Sequence, residues 1–453
     1  MRHLVCCVLA LTGVVAGQNW AIGILAARGG SCAIDTDSTC RPHVAFGAAA
    51  GWGYAVRTDD SWAVAYPQTE RLVLEIELCL DENGLPHIGY IEGRYTPPYL
   101  DSVRYARFDG DTWHFETVTG PARHDALSMV LARDKTPHMA FREDFVDSAV
   151  TKYACKASDT WSILTVPTEQ TDTLRYLRGF SLALDKADRP GVAVAWCRPA
   201  GQDDSVWLAV FEHDGQDWHR FDVDSAPGWA PWDFWWPRVQ HDPASDLFHV
   251  AYRASAYRGV YVTGRGNLWR VEEDLPVSVG NQVYDFVLHE GRPHVVGANV
   301  RCPLVYQWRW AGGWEEEVVL VELVSDLSLA VDRNGLPHVA IAALDGDLLY
   351  GRRLFVGIQE TVRPASPSAS RLPTITREVL VWSTTTLSLR NVGDIALHSR
   401  AKLLDASGRA VMDLQPGPND IRRLASGVYF VKEEGPRSKG SEGPSVRKVV
   451  IQR

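Results

Sequence analysis

Cys79-Leu80-Asp81-Glu82-Asn83-Gly84-Leu85-Pro86-His87-Ile88 returns almost letter for letter as Ala330-Val331-Asp332-Arg333-Asn334-Gly335-Leu336-Pro337-His338-Val339. The phrase is an apolar run, an Asp, a turn, Pro-His and a second apolar run. Its Pro-His pair recurs at His43, His87, His138, His294 and His338. Phe248-His249 is a looser copy, and Pro190-Gly191 fills the place in one more unit. Successive copies lie 44 to 58 residues apart and define seven units. A fixed period of this size marks a repeat architecture and governs every later reading of the chain.

Between copies lie a third apolar stretch and a turn that ends in Trp, as in Phe108-Asp109-Gly110-Asp111-Thr112-Trp113. The Trp anchors are Trp62, Trp113, Trp161, Trp218, Trp269 and Trp314. Each unit therefore reads as four short strands with period-two alternation. Asp-Gly and Asp-x-x-Gly supply the hairpin turns, because Gly and Asp tolerate the backbone angles a tight reversal needs. Four strands per period of this length is the mark of a β-propeller blade. The last unit lacks its Trp strand, and Asn19-Trp20-Ala21-Ile22 near the other end resembles one. The expectation is that Trp20 and its neighbours complete the last blade and remove two open sheet edges. The fold class is all-β: a seven-bladed propeller over 18–356, followed by a small immunoglobulin-like β-sandwich.

The ends read differently. Residues 1–17 have a short polar start, an apolar run from Leu4 to Ala16, and small residues at Val15-Ala16-Gly17. That is the pattern of a secretory signal peptide. No later segment has the roughly 20 apolar residues of a membrane helix. Residues 357–373 are a Pro/Ser-rich linker around Arg363-Pro364-Ala365-Ser366-Pro367, and 374–453 form a small β-rich tail. The tail carries Asp405-Ala406-Ser407-Gly408-Arg409, then Gly427-Val428-Tyr429-Phe430-Val431, then Lys448-Val449-Val450 close to its end. In this order these pieces resemble the type A C-terminal sorting domain of the type IX secretion system. The resemblance covers about the last 80 residues. It implies a sandwich that engages the type IX machinery, with Gly427, Tyr429 and Lys448 among the matching positions. Thr376 to Asn391 departs from the family's usual opening, and 435–444 reads as a hairpin insertion.

Net charge is −10, which excludes nucleic acid as an expected partner, since that needs a basic face. Cysteines outside the signal are Cys32, Cys40, Cys79, Cys155, Cys197 and Cys302, without Cys-x-x-Cys spacing, so neither a zinc site nor a cofactor is expected. Cys32 and Cys40 flank one predicted turn and are a candidate disulfide. The repeated His43, His87, His138, His249, His294 and His338 sit on different blades. Metal ligands must converge within about 2 Å of one ion, so one structural hydrogen bond per blade is the expected role. Trp20 and the other six Trp anchors are expected to be packing residues.

Candidate ligand-binding residues fall on the segments after the second strands, which carry Arg94, Arg142, Arg198, Arg253 and Arg301. Two readings stay open. They form a positive mouth for an anionic ligand, or they pair with neighbours such as Glu92, Glu143, Asp144, Asp203 and Asp204. The segment Gly228-Trp229-Ala230-Pro231-Trp232-Asp233-Phe234-Trp235-Trp236-Pro237 adds Trp229, Trp232 and Trp235, with Tyr95, Tyr99 and Tyr257 extending the surface. Aromatic faces stack on sugar rings and anchor protein partners, but they also fill gaps between blades. No catalytic residue is assignable. Gly-x-Ser-x-Gly, His-Glu-x-x-His and phosphate loops are absent, as are the Ser-x-Asp-x-Gly-x-x-Trp box and Arg-Ile-Pro signature of sialidases. The expected function is recognition of carbohydrate or another surface macromolecule by a secreted or surface-attached protein. The alternatives are a glycoside hydrolase or polysaccharide lyase with its site at the channel mouth, and a structural surface-layer component.

Overall fold

The computed structural model describes residues 19–354 apart from residue 28 and the stretches 59–60, 68–70, 94–99, 145–148, 169–175, 198–204, 228–234, 256–257, 276–282, 300–301, 311–312 and 321–323. Further on it describes 379–382, 386–388, 400–404, 409–414, 418–420, 427–434 and 446–451. Residues 1–17, read as a signal, and the linker 357–373 lie outside the described residues. The chain divides into two units, Met1–Arg353 and Leu354–Arg453.

The first unit is a seven-bladed β-propeller, with seven four-stranded antiparallel sheets each running in sequence order from inner to outer strand. The last blade is the exception. Its outer strand is Trp20–Ala27, which pairs with Asp347–Arg353 and closes the ring. Inner strands, which face the axis, are Cys32–Thr36, Leu72–Leu80, Arg123–Leu131, Tyr176–Leu184, Trp235–Asp242, Val283–His289 and Val324–Val331 in blades 1 to 7. The second strand of each blade lies between two other strands and between two other blades. It is therefore buried on both faces and reads as a continuous apolar run. Pro86–Gly93 is buried at every position, and Ile88, Tyr90 and Ile91 are fully enclosed.

In both copies of the opening phrase the turn is held by its Asp. The Asp81 carboxylate accepts from the backbone N–H of Asn83 at 2.8 Å and Leu85 at 2.9 Å, and Asp332 does the same for Asn334 and Leu336. The fourth turn residue sits at positive φ. It is Gly84 (φ 74°) or Gly335 (φ 77°) in the two matching copies, but Cys40 (φ 65°), Lys135 (φ 70°) and Asp188 (φ 58°) elsewhere.

A second device joins the blades. The repeat His hydrogen-bonds through Nδ1 to a Tyr hydroxyl on the third strand, as in His43–Tyr54, His87–Tyr105, His138–Tyr153, His249–Tyr261 and His294–Tyr306 at 2.5 Å, and His338–Tyr350 at 2.7 Å. Each of these Tyr rings then packs edge-on against the Trp anchor of the next blade. The ring pairs are Tyr54–Trp113, Tyr105–Trp161, Tyr153–Trp218, Tyr261–Trp314, Tyr306–Trp20 and Tyr350–Trp62. Blade 4 lacks both partners together. Gly191 stands for the His, and Val210, paired with Ala193, stands for the Tyr. A Cβ on Gly191 would lie 2.5 Å from the Phe248 ring, which occupies the space. Losing both members at once makes sense, because either alone would leave a buried polar atom without a partner.

The Cys32–Cys40 disulfide does not form, and both cysteines are free. Cys32 opens the inner strand of blade 1, and Cys40 lies in the turn past the far end of that strand. A strand rises about 3.3 Å per residue, whereas a disulfide needs Cα atoms within about 7 Å.

The second unit holds a five-stranded sheet in the order Val379–Trp382, Val446–Ile451, Gly427–Glu434, Arg400–Leu404, Ala410–Leu414. The first pair is parallel and the others antiparallel. Thr386–Ser388 and Pro418–Asp420 form a separate antiparallel pair.

Candidate functional site

The seven inner strands enclose a cavity of about 400 Å³ on the propeller axis. That volume lies in the range of ligand pockets, roughly 300–1,000 Å³. The repeat fixes which side chains line it. In each blade one inner-strand residue pairs with the repeat His or its Gly191 substitute: Asp35, Cys79, Val130, Ala183, Gln240, Val287 and Ala330. Two residues earlier, on the same side of each strand, stand Ala33, Glu77, Ser128, Ser181, Arg238, Asp285 and Ser328. All seven line the cavity.

Four members of this ring clasp the next blade. Each accepts a hydrogen bond from a backbone N–H on the open edge of the neighbouring inner strand. Ser128 takes Leu182 N–H at 3.1 Å, Ser181 takes Val239 at 3.2 Å, Asp285 takes Leu329 at 2.8 Å and Ser328 takes Ile34 at 3.2 Å. Asp35 and Asp326, at other levels, do the same for Leu80 and Cys32, both at 2.8 Å. These bonds answer the unpaired edge that every inner strand would otherwise expose.

Three ring members do not clasp. Ala33 has no acceptor and leaves space. Glu77 and Arg238 are long and ionisable; the Glu77 side chain bonds no described neighbour, and Arg238 reaches a side chain on the next inner strand and not its backbone edge. Arg238 Nε lies 3.4 Å from Asp285 Oδ1, and no ion pair joins Arg238 to Glu77. Blades 2 and 5 stand on opposite sides of the ring, so the two side chains face each other across the cavity. Burial pushes the Glu77 carboxyl up to about 8, Arg238 pulls against this, and Asp285 and Asp326 add to it. Burial likewise raises Asp35 to about 6 and raises Asp326, against the backbone bonds each accepts.

The axial cavity is acidic. Among the described residues Asp35, Glu75, Glu77, Asp285 and Asp326 line it against Arg238 as the one cation. Arg142 and Arg253 lie inside second strands, not beyond them, because the sheet pairing runs on to Asp144 and Ser255. Arg142 Nε binds Asp144 Oδ1 at 2.6 Å, and Arg253 is buried. Arg94, Tyr95, Arg198, Trp229, Trp232, Tyr257 and Arg301 lie outside the described residues. Trp235 pairs by its backbone with Arg253. Trp236, at φ 53°, packs into the cores of the blades on either side, and its carbonyl accepts the Tyr284 hydroxyl. The aromatic segment thus feeds, through a fixed Trp236-Pro237, into the strand that places Arg238 in the cavity.

A different small cavity, about 90 Å³, lies beside the blade 4 gap. Its charged lining is mutually paired: Asp185 binds Arg189 at 2.6 Å and Arg265 at 2.7 Å. Among the described residues no group of three His, Cys, Asp or Glu is placed to hold a metal ion. No described helix is long and apolar enough to cross a membrane.

No family model and no curated protein matches this chain. Solved structures do. An ulvan lyase of a polysaccharide lyase family, bound to -[GlcA(1-4)Rha3S]-, aligns with TM-score 0.50 and 12% identity over 73% of this chain and 95% of its own. The Aleuria aurantia lectin in complex with Fucalpha1-6GlcNAc aligns with TM-score 0.42 and 14% identity over 61% and 90%. The intramolecular trans-sialidase from Ruminococcus gnavus aligns with TM-score 0.36 and 11% identity over 74% and 96%. At these identities the likeness concerns the fold: the chain is built as a β-propeller with a polar axial cavity.

Proposed function

We propose that the propeller recognises carbohydrate at its axial cavity. The observation that carries this is the axial cavity of about 400 Å³, lined by hydrogen-bonding side chains from all seven blades. Sugars present hydroxyls that both donate and accept, and ring faces that stack on aromatics. A wall that mixes carboxyls, serines and a guanidinium suits the hydroxyls, and the Trp229–Trp236 stretch that precedes Arg238 in the sequence offers aromatic faces. The test is a glycan-array screen of the full chain beside a Trp232→Ala/Trp235→Ala variant. Binding that the variant abolishes supports the reading. A blank from folded protein overturns it.

A second reading is a glycoside hydrolase or polysaccharide lyase, and the raised Glu77 carboxyl favours it. A carboxyl that keeps its proton near neutral pH is suited to act as a general acid. Cleavage of a bound glycan, lost in Glu77→Gln with binding retained, would establish this reading.

Export is part of the proposal. The signal-like start and the tail that resembles a type IX sorting domain support a secreted or surface-attached protein whose tail is an immunoglobulin-like sandwich. In the tail Tyr429 pairs with Val449 and Phe430 with Lys448, so its matching positions share adjacent strands. Deleting 374–453 in a host with type IX secretion should hold the propeller inside the cell. Unchanged export would refute the assignment.

A further inference from the structure

We propose that Glu77 and Arg238 are the specificity pair of the axial cavity, holding opposite edges of a neutral sugar and excluding acidic ones. The inference rests on the carbohydrate reading and adds the ligand class and the residues that select it.

The argument starts from the repeat. Ser128, Ser181, Asp285 and Ser328 show what this ring position does when its task is structural: it accepts an N–H from the next blade. Glu77 and Arg238 depart from that pattern. A Ser in either place would meet the structural need with a shorter side chain and without burying charge. Positions where a consistent pattern is broken at a cost are expected to be functional. The two side chains also face each other without bonding, so polar groups remain on both walls with space between them.

The chemistry of that space points to hydroxyls. The guanidinium presents donors in a planar fork, which suits two adjacent hydroxyl oxygens. The carboxyl opposite accepts from hydroxyls, and in its protonated form it donates as well. A carboxylate-bearing or sulfated sugar would also find the Arg238 fork, but it would then sit beside Asp285, 3.4 Å from Arg238, and face Asp326 and Glu75. Like charges at such range oppose binding in a cavity of low dielectric. A neutral ring meets no such opposition.

The experiment titrates the full chain with neutral gluco-, manno- and galacto-oligosaccharides and with oligogalacturonates of matched length, by calorimetry. Arg238→Gln and Glu77→Ala sit on opposite walls, so loss of folding in one leaves the other to test. Thermal unfolding of each variant reports folding independently. The expected result is binding of at least one neutral series, weakened tenfold or more in both variants. Tighter binding of oligogalacturonates would overturn the inference and leave the carbohydrate reading standing. Neutral binding unaffected by the folded variants would also overturn it, because the sugar would then sit elsewhere. Binding of no glycan at all would remove the carbohydrate reading and this inference with it.

Discussion

Replacing Tyr105 with Phe deletes one oxygen and tests the joint that links blades. Tyr105 is 1% exposed, and its hydroxyl lies 2.5 Å from His87 Nδ1. Without the hydroxyl, Nδ1 remains buried without its partner, and such an orphaned polar atom costs about 1–3 kcal/mol. The Phe ring still packs on Trp161, 5.4 Å away in the wild type, so lost packing contributes little. His87→Ala orphans the Tyr hydroxyl instead and opens a cavity, so it should cost more. The double variant removes both partners and should cost less than the sum of the two, with a coupling of about 0.5–3 kcal/mol for residues in direct contact. Urea unfolding of the full chain, followed by Trp fluorescence, measures all three. A Tyr105→Phe cost below about 0.3 kcal/mol, or additivity within about 0.5 kcal/mol, would refute the claim that the two residues work as a unit.

Stability should fall on acidification. Burial lowers His87 to about 4 and His294 to about 3, below the ordinary 6.5. For a lowered histidine the contribution is present above pH 6.5 and is lost as pH falls towards the folded value. At about 1.4 kcal/mol per pH unit, His87 alone accounts for about 3 kcal/mol between pH 6.5 and 4. A flat melting temperature over that window would contradict the burial. Glu77 runs the other way: its folded value of about 8 lies above the ordinary 4.5, so stability is lost as pH rises from 4.5 through 8. Glu77→Gln should therefore stabilise at pH 9 by about 2–5 kcal/mol and have little effect at pH 4, read as paired denaturation curves. Phe248→Ala should cost about 3–5 kcal/mol, because that ring fills the gap left by Gly191. Cys40→Gly should stabilise by about 1 kcal/mol in the same assay, since Cys40 holds a turn position at φ 65° where two other copies have Gly.

The fold could be read from Pro-His because a repeat reports itself many times over. Closure by Trp20 was readable for the same reason: a unit missing one strand points to where that strand must be. The His–Tyr joint was half visible. The His follows Pro at almost constant spacing, but the Tyr comes 11 to 18 residues later, across a second-to-third-strand segment of variable length. The axial ring was legible in principle. Ala33, Glu77, Ser128, Ser181 and Ser328 each stand ten residues before the His or its substitute. Blade 5 shifts this to eleven and blade 6 to nine, through turns of different length, which hides Arg238 and Asp285. Of the two readings of the Arg set after the second strands, the pairing one holds for Arg142, while Arg94, Arg198 and Arg301 lie outside the described residues. Arg142 turns to Asp144, two residues along its own strand.

A repeat protein separates structure from function more sharply than most folds, because each blade is a control for the others. Asp81 and Asp332 do the same work in turns far apart, so neither asks for a functional account. The departures ask for one. Blade 4 loses His and Tyr together and gains Phe248, a set of changes that closes on itself within the packing. The ring exceptions do not close in this way. Glu77 and Arg238 bring ionisable groups to the axis and bond no open strand edge; Arg238 pairs with Asp285, and both face a cavity large enough for a ligand. A long ionisable side chain that breaks the clasping pattern and faces the axis is where a functional role is expected. That asymmetry between blade 4 and the ring places the functional weight on the axis and makes Glu77 and Arg238 the residues to change first.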